Sequence, residues 1–137
     1  MSISKILSYF RSYGHQIIVS DIALNFRLRK NKTANEIIKL LPLKSSINTW
    51  GDEIYFEIPK INVNTEDNAK DIVKLGEIAF WIEGNSIAIG FGRTPISKLN
   101  EIRLAAIVNI WADAEYPEQL KLLTKISDGH EISITIK

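Results

Sequence analysis

The chain contains no cysteine, no long apolar run and no large excess of charge of either sign. Without cysteine there is no disulfide, no thiolate nucleophile and no thiolate-bound metal, and a reducing, cytoplasmic location is the expectation. No apolar run approaches the roughly 20 residues that span a bilayer, so we expect no membrane partner. A formal net charge of +1 gives no electrostatic reason to expect nucleic acid.

Several motifs of catalytic and metal-binding proteins are also missing. Gly90-Phe-Gly92 lacks the further glycine and the following helix of a phosphate-binding loop. The two histidines, His15 and His130, are isolated and accompany no acidic motif at ligand spacing, and there is no Gly-x-Ser-x-Gly elbow. The sequence therefore predicts no metal site, no cofactor and no catalytic residue.

What the chain does contain is typical of a single globular domain. Its 137 residues are 45% hydrophobic, and isoleucine recurs in alternating runs that favour β-strands. Near the N-terminus, an apolar stripe at helical spacing predicts a short amphipathic helix over 2–13. The stripe consists of Ile3, Ile6, Leu7 and Phe10. We therefore divide the chain into an N-terminal amphipathic extension, 1–14, and one domain, 15–137.

The strongest local pattern is a β-hairpin between Gly76 and Gly92. Two alternating runs flank Gly84-Asn85, a pair typical of a two-residue turn. Such a turn places six large apolar side chains on one face, because the strand period is two. The predicted pairs are Ile82 with Ile87, Phe80 with Ile89, and Ile78 with Phe91.

The other face of this hairpin carries Trp81 among residues with almost no side chain. Its neighbours there are Ala79, Ala88 and Gly90, which leave free space beside the indole ring. That space has to be filled by another segment of the chain, by a partner or by a ligand. The amphipathic N-terminal segment is the nearest unassigned segment of the chain.

The remaining elements follow from hydrophobic periodicity and from turn residues. We predict strands over His15–Val19, Ile22–Leu28, Leu104–Trp111 and Ile132–Ile136, and a strand pattern over Leu43–Ile58 that is broken by a turn or bulge at Gly51-Asp52. We also predict a helix that begins with the capping box Thr33–Glu36 and ends at Pro42, a connection over 59–75, and a second helix from Pro117 that packs Leu120 and Leu123. The carboxylates Asp52, Glu53, Glu57, Glu77 and Glu83 are expected to be solvated on outer faces. The basic residues Arg27, Arg29, Lys30 and Lys32 are expected to form a solvated strand end.

This order gives about eight strands and two body helices without a βαβ rhythm. The fold class is therefore mainly β. The arrangement that fits best is a closed, mostly antiparallel, eight-stranded barrel with two capping helices, since closure removes the edges of an isoleucine-rich sheet.

Four motifs resemble those of a known family. They are Leu41-Pro42 after the helix, Asn48-x-Trp50-Gly51-Asp52-Glu53-Ile54-Tyr55-Phe56, Gly76-Glu77 through Phe80-Trp81, and Phe91-Gly92-x-Thr94-Pro95. In this order they resemble the small prokaryotic cyclophilin-like family, formerly a domain of unknown function, whose type member is a structural-genomics protein from a thermophilic bacterium. The resemblance covers about His15 to Lys137 and implies a cyclophilin-type barrel with a helix at each end.

The resemblance does not imply proline isomerase activity. True cyclophilins carry a catalytic arginine in a Phe-His-Arg type context and a Gln-Gly-Gly-Asp type segment, and neither stretch occurs here. A shared fold is weak support for shared chemistry. The chain is therefore expected not to be an enzyme.

Aromatic residues and rim segments are the best candidates for a binding site, because Trp and Tyr combine large area with a polar group. The candidate ligand-binding residues are Trp50, Asp52, Tyr55, Trp81, Phe91, Arg93 and Thr94. Trp111 is a further aromatic candidate. For the aromatic residues other than Trp81, packing is the stronger expectation. The leading hypothesis is a module that binds a small molecule or a short peptide. A peptidyl-prolyl isomerase that uses Arg93, and a homo-oligomeric protein such as a homodimer, are the alternatives.

Overall fold

The structure of the chain, a computed structural model, describes residues 14–136. The predicted N-terminal helix over 2–13, together with its proposed contact to Trp81, lies outside these residues. Within them the chain is mainly β, with a 10-stranded sheet, one α-helix and one 3-10 helix. No helix in the described range has the length and apolar character needed to cross a membrane.

The elements follow one another in a simple order. They are β1 (His15–Val19), β2 (Ile22–Leu28), α1 (Lys32–Ile38), β3 (Leu43–Ser46), β4 (Asn48–Thr49), β5 (Glu53–Glu57), β6 (Lys70–Val73), β7 (Glu77–Trp81), β8 (Ser86–Gly90), β9 (Ile102–Ala114), the 3-10 helix η1 (Pro117–Lys125) and β10 (Glu131–Ile136). The predicted strands β1 and β2 are confirmed with the same bounds.

All strand pairs between residues 14 and 136 are antiparallel, in the order β3-β10-β1-β2-β9-β7-β8-β5-β4, with β6 on β9. The sheet curls into a nearly closed barrel, and Ser45 Oγ on β3 donates to the carbonyl of Glu57 on β5 at 2.7 Å. The predicted antiparallel barrel is confirmed. Its strand count differs from the predicted eight, because β6 forms inside the predicted connection 59–75 and β4 is a two-residue strand.

Alternating strand residues fill the barrel interior. The fully buried side chains of this core include Trp111, Phe26, Phe56, Phe80 and seven isoleucines from the strands. Both helices add to this core, α1 through Ala34 and Ile37, and η1 through Leu120 and Leu123. The helix from Pro117 is thus confirmed as a 3-10 helix, and both helices have the capping role expected of them.

The predicted capping box at Thr33 and Glu36 is wrong. Asn31 is the N-cap of α1, and its side chain accepts from the amide of Ala34 at 2.9 Å. Thr33 lies inside the helix, where its amide and hydroxyl both donate to the carboxylate of Glu66 (2.9 and 2.7 Å). A carboxylate distant in sequence therefore satisfies the orphan donors that a capping box satisfies locally. The helix also ends at Ile38, before the predicted end at Pro42.

The predicted two-residue turn of the β7–β8 hairpin is wrong as well. Phe80 pairs with Ile87 and Ile78 with Ile89, so the loop comprises residues 82–85. The pairing is displaced by two residues from the prediction, and a displacement of two leaves every side chain on its expected face. The apolar face of the hairpin accordingly lies in the barrel core.

Asn85 explains the longer loop. It has a φ of +45°, and its amide donates to the carbonyl of Ile82 at 3.1 Å. Its side chain holds the segment after β5, since Nδ2 donates to the carbonyl of Ile58 (2.7 Å) and Oδ1 accepts from the amide of Ile61 (3.2 Å). The residue is therefore committed to the turn and to a neighbouring segment, which excludes it from a tighter turn.

Strand β9 joins two layers of the molecule. Its C-terminal half pairs with β7 and β2 in the barrel, and its N-terminal half pairs with β6 outside it. The register along β6 shifts between Lys70, which pairs with Val108, and Ile72, which pairs with Arg103. Residues 104–107 of β9 therefore form an irregular stretch that passes over the outer face of the barrel. Ala105 and Ile107 are exposed, contrary to the prediction of a strand buried on both faces.

Candidate functional site

A cavity of about 330 Å³ lies on the outer face of the barrel, under the irregular stretch of β9. We call it the outer-face pocket. Its lining residues are Trp50, Glu53, Tyr55, Trp81, Ala88, Leu104, Ala105, Ala106 and Val108. They come from the turn before β5, from β5, β7 and β8, and from β9. Three of the predicted site residues, Trp50, Tyr55 and Trp81, are thus brought together, although the binding of a ligand there remains a prediction.

Small residues on β8 leave the space for this pocket. Ala88 pairs with Tyr55 on one side and with Ala79 on the other, and Gly90 pairs with Glu53. None of these positions on β7 and β8 carries a side chain large enough to fill the outer face. A second hydrophobic cluster beside the pocket, which includes Val73, Ile102 and Ile110, attaches β6 and β9 to the same face. The open space predicted around Trp81 is therefore covered in part by β9.

Two aromatic rings form one wall of the pocket. Tyr55 and Trp81 meet edge to face, with ring centroids 6.5 Å apart and planes at 86°. Gly84 lies against the Trp81 indole so closely that a Cβ atom there would overlap the ring. The four-residue loop thus sets the position of the ring, and both side chains remain only partly buried.

The turn that carries Trp50 and Glu53 is held by a second segment of the chain. Asp52 donates its amide to the carbonyl of Arg93, and its own carbonyl accepts from the amide of Phe91, both at 2.8 Å. Gly51 has a φ of +60°, and a Cβ atom there would lie 2.9 Å from the Arg93 carbonyl oxygen. Only glycine suits such a conformation and such a close approach. Two of the four motifs of the resemblance, the one that contains Asp52 and the one that begins at Phe91, are therefore joined by backbone hydrogen bonds.

Glu53 is the charged residue of the outer-face pocket. Its residue surface is only 7% exposed, which contradicts the expected solvated position. Its carboxylate forms no hydrogen bond or ion pair with any residue between 14 and 136. Burial without a partner raises the pKa of Glu53 to about 7, because removal from water disfavours the charged form.

Glu77, a second buried carboxylate, is fully paired and lies outside the pocket lining. It is 5% exposed and binds Lys70 Nζ (2.7 Å), the amide of Lys74 (2.6 Å) and Arg29 (2.9 Å). Burial alone raises its pKa, but the hydrogen bonds and charges of these donors outweigh that effect and lower it. Arg29 also binds Asp113 through two bonds of 2.8 Å. The solvated position predicted for Glu77 is therefore wrong. Arg29 is half-buried in these ion pairs, whereas Arg27, Lys30 and Lys32 are exposed as predicted.

Four predicted site residues lie outside the pocket lining. Phe91 is buried in the barrel core, and Asp52 is engaged through its backbone as described above. The Arg93 guanidinium donates to the carbonyls of Leu99 and Ser97. Thr94 is buried away from the pocket lining, and its hydroxyl donates to the carbonyl of Arg103. These residues stabilise the turn and the entry to β9.

Trp111 is a core residue. It is fully buried, donates its indole N–H to the carbonyl of Ala79 at 3.2 Å, and meets Phe26 edge to face with centroids 5.4 Å apart. Packing is thus the role that the structure gives this third tryptophan.

Sequence reasoning missed the acidic residue and the β9 side of the pocket. Glu53 shares a strand face with Tyr55, two residues away, and that alternation was the available signal. The β9 residues carry no such signal, because an alanine pair between apolar residues resembles any buried strand.

The lining chemistry limits what this pocket can do. It offers aromatic and aliphatic surface together with one carboxyl group whose pKa lies near neutrality. Within residues 14–136, no group of three or more His, Asp or Glu side chains is placed to hold a metal ion. Stacking, hydrogen bonding to the carboxyl group, ion pairing and exchange of one proton are the interactions available to a bound molecule.

Comparison with known proteins places the fold in a family. Residues 15–135 match the Cyclophilin-like family. The solution structure of the hypothetical protein AF2241 from Archaeoglobus fulgidus is 32% identical, with a TM-score of 0.72, over 92% of this chain and 96% of that one. McbB, solved in complex with tryptophan, is 15% identical with a TM-score of 0.66, over 90% of this chain and 44% of McbB, and shares the fold alone. A comparison with curated proteins finds no match. The chain belongs to the cyclophilin-like family.

Proposed function

We propose that this protein binds a small molecule in the outer-face pocket and that it does so without catalysing a reaction. The observation that supports the proposal is the coexistence of two features in one cavity. Aromatic rings stand open to the cavity, and a buried carboxyl group without a partner among the described residues lies beside them. Pockets for small ligands combine apolar surface with a few placed polar groups in this way.

The cavity volume supports a small ligand over an extended peptide. About 330 Å³ lies at the lower end of the range of ligand pockets, roughly 300–1,000 Å³. A peptide that used this pocket would insert a single side chain. McbB, a neighbour in fold, was solved in complex with tryptophan, a small aromatic molecule.

The alternative functions receive less support. An isomerase that used Arg93 would need its guanidinium free beside a proline pocket, whereas Arg93 is bonded to two carbonyl groups of its own loop. A homodimer would use spare apolar surface, and scattered exposed residues such as Ile107 and Leu99 are normal on a monomer.

The test is a fragment screen of the full chain in which binding is detected by shifts of the tryptophan indole N–H resonances in NMR spectra. The chain has 3 tryptophans, of which Trp50 and Trp81 line the pocket and Trp111 is in the core. We expect bound fragments to shift the first two resonances and to leave the third unchanged. Shifts of none of the three by any fragment would contradict the proposal.

A pair of matched variants localises the binding. Ala106→Leu places a larger side chain in the pocket, and Ala23→Leu makes the same change at an exposed position of β2. We expect the first variant to lose fragment binding by about tenfold or more and the second to retain it. Equal retention by both variants would place the binding elsewhere.

A further inference from the structure

We propose that the ligand of the outer-face pocket is a small organic cation, namely an aromatic or aliphatic amine whose ammonium group pairs with Glu53 while its apolar body contacts the tryptophan and tyrosine rings. The inference rests on the proposed binding function and specifies the chemical class of the ligand.

The first argument is the charge of the pocket lining. Among the described lining residues, Glu53 is the only one that carries a charge, and more than nine-tenths of its surface is buried. The other lining residues are aromatic or aliphatic, and none of them is a cation. An ionised carboxylate in such a place lacks a counter-ion, and a ligand that supplies one removes the cost of the buried charge.

The second argument is the character of the walls. Trp50, Tyr55 and Trp81 line the same cavity, and the faces of aromatic rings attract cations. A carboxylate together with several aromatic rings therefore favours an ammonium group over a neutral hydroxyl group of the same size. An anionic ligand is disfavoured by both features.

The third argument is the contrast with cation sites inside the protein. Glu77 is satisfied by Lys70 and Arg29, so the fold supplies protein cations where a buried carboxylate is structural. It supplies none to Glu53 within the described residues. Of these two buried carboxylates, the one without a described cation partner is thus the one that lines the cavity.

Binding of a cation should be linked to protons. The ammonium group stabilises the ionised carboxylate, so binding releases a proton below pH 7, where burial keeps part of Glu53 protonated. Within the described part of the chain, Tyr55 on β5 is the only other titratable residue of the lining, and the lining residues of β7, β8 and β9 contribute no charged or titratable group. One proton per ligand is therefore the maximum expected.

The experiment compares amines with alcohols of the same shape by titration calorimetry on the full chain. The probes are tryptamine against tryptophol, and 2-phenylethylamine against 2-phenylethanol, at pH 8. We expect the amine of each pair to bind at least about tenfold more tightly. Glu53→Gln should reduce this ratio to about threefold or less while leaving alcohol binding intact, and Glu57→Gln, an exposed position two residues beyond Tyr55, should leave the ratio unchanged.

The pH dependence gives a second readout that needs no variant. Between pH 8 and pH 5.5 the amine affinity should fall by about tenfold, because the carboxylate becomes protonated, while the alcohol affinity stays constant. Titrations in two buffers of different ionisation enthalpy should show proton release with the amines at pH 6.5.

The outcomes separate the two proposals. Alcohols that bind as tightly as amines and shift the Trp50 and Trp81 resonances would overturn the cation inference and leave the pocket function standing. Fragment hits confined to neutral or acidic compounds would do the same. If no probe and no fragment shifts these resonances, both proposals are wrong.

Discussion

Two glutamates on the outer face of the barrel are buried to a similar degree, but they differ in their partners and in the direction of their pKa shifts. Glu53 lies on β5 and Glu77 on β7, with β8 between the two strands. Their exposures are 7% and 5%. Glu77 is bound by Arg29, Lys70 and a backbone amide, and its pKa is lowered. Glu53 is bound by no described residue, and its pKa is raised to about 7.

The difference shows that burial does not by itself define the role of an acidic residue. Around Glu77 the donors offset the cost of removing the charge from water, so the cluster is structural. Around Glu53 no residue between 14 and 136 offsets that cost, which makes Glu53 destabilising at neutral pH and above. A perturbed carboxyl group in a cavity is the pattern of a functional site, because stability is sacrificed where function requires it.

Loss of the Glu77 charge should have the largest effect. Glu77→Gln removes the counter-charge of Lys70 and one partner of Arg29, so we expect the free energy of unfolding to fall by about 3 kcal/mol at pH 7. The measurement is urea unfolding. Glu57→Gln, at an exposed position, is the control and should leave stability unchanged within error. A loss for Glu77→Gln as small as that of the control would contradict the structural role.

Loss of the Glu53 charge should change the free energy of unfolding in the opposite direction, towards higher stability. The folded pKa of about 7 lies above the ordinary glutamate value of 4.5. The contribution of this group to stability is therefore fully favourable below pH 4.5 and is lost as the pH rises through 7. Glu53→Gln should therefore raise the free energy of unfolding by about 2 kcal/mol at pH 8.5, after allowance for water in the cavity, and should change it little at pH 4.5. Urea unfolding of both proteins at the two pH values measures this difference. A destabilised variant at pH 8.5 would show that Glu53 has a partner.

Arg29→Lys should have a smaller effect. The guanidinium bonds Asp113 through two nitrogen atoms and also reaches Glu77, a geometry that an ammonium group does not reproduce. We expect the free energy of unfolding, measured in urea, to fall by about 1–2 kcal/mol. We also expect carboxyl ¹³C shifts measured against pH to show that the Glu77 pKa is lowered less than in the unmodified protein. If Arg29→Lys leaves both quantities unchanged, Lys70 and the Lys74 amide are sufficient for Glu77.

Tyr55→Phe should have the smallest effect, and it tests whether the Tyr55 hydroxyl is a partner of the Glu53 carboxylate. The Tyr55 hydroxyl forms no hydrogen bond within residues 14–136, so its removal should leave the pKa of Glu53 unchanged. Carboxyl ¹³C shifts followed against pH give that value directly. A clear rise of the Glu53 pKa in the variant would mean that the hydroxyl group stabilises the carboxylate in solution.

Much of the fold could be predicted because strand alternation is a local property. β1, β2 and the two faces of the β7–β8 hairpin follow from the spacing of apolar residues. The turn was predicted wrongly, since Asn85 bonds Ile58 and Ile61, residues that no pattern around Gly84-Asn85 contains. The helix cap failed for the same reason, because Glu66 replaces the local partner of Thr33.

The candidate site, like the fold, could be predicted from the sequence only in part. Trp81 was identifiable from its strand face, where small neighbours leave space beside a large ring. The sequence predicts Phe91 and Thr94 as ligand-binding residues, but Phe91 lies in the core and Thr94 donates its hydroxyl to the carbonyl of Arg103 on β9. Glu53 was expected to be in water, because nothing near it in the sequence covers it.

The sequence by itself determined which side chains share a face, and therefore the barrel, its core and the open space beside Trp81. Periodicity and side-chain size are carried by neighbouring residues, so they need no tertiary contact. Only the tertiary structure decided that β9 crosses over this face, that Glu53 is enclosed without a partner among the described residues, and that Glu77 is enclosed with three donors. The state of a carboxylate depends on what the rest of the chain brings to it, and that partner comes from residues far away in sequence.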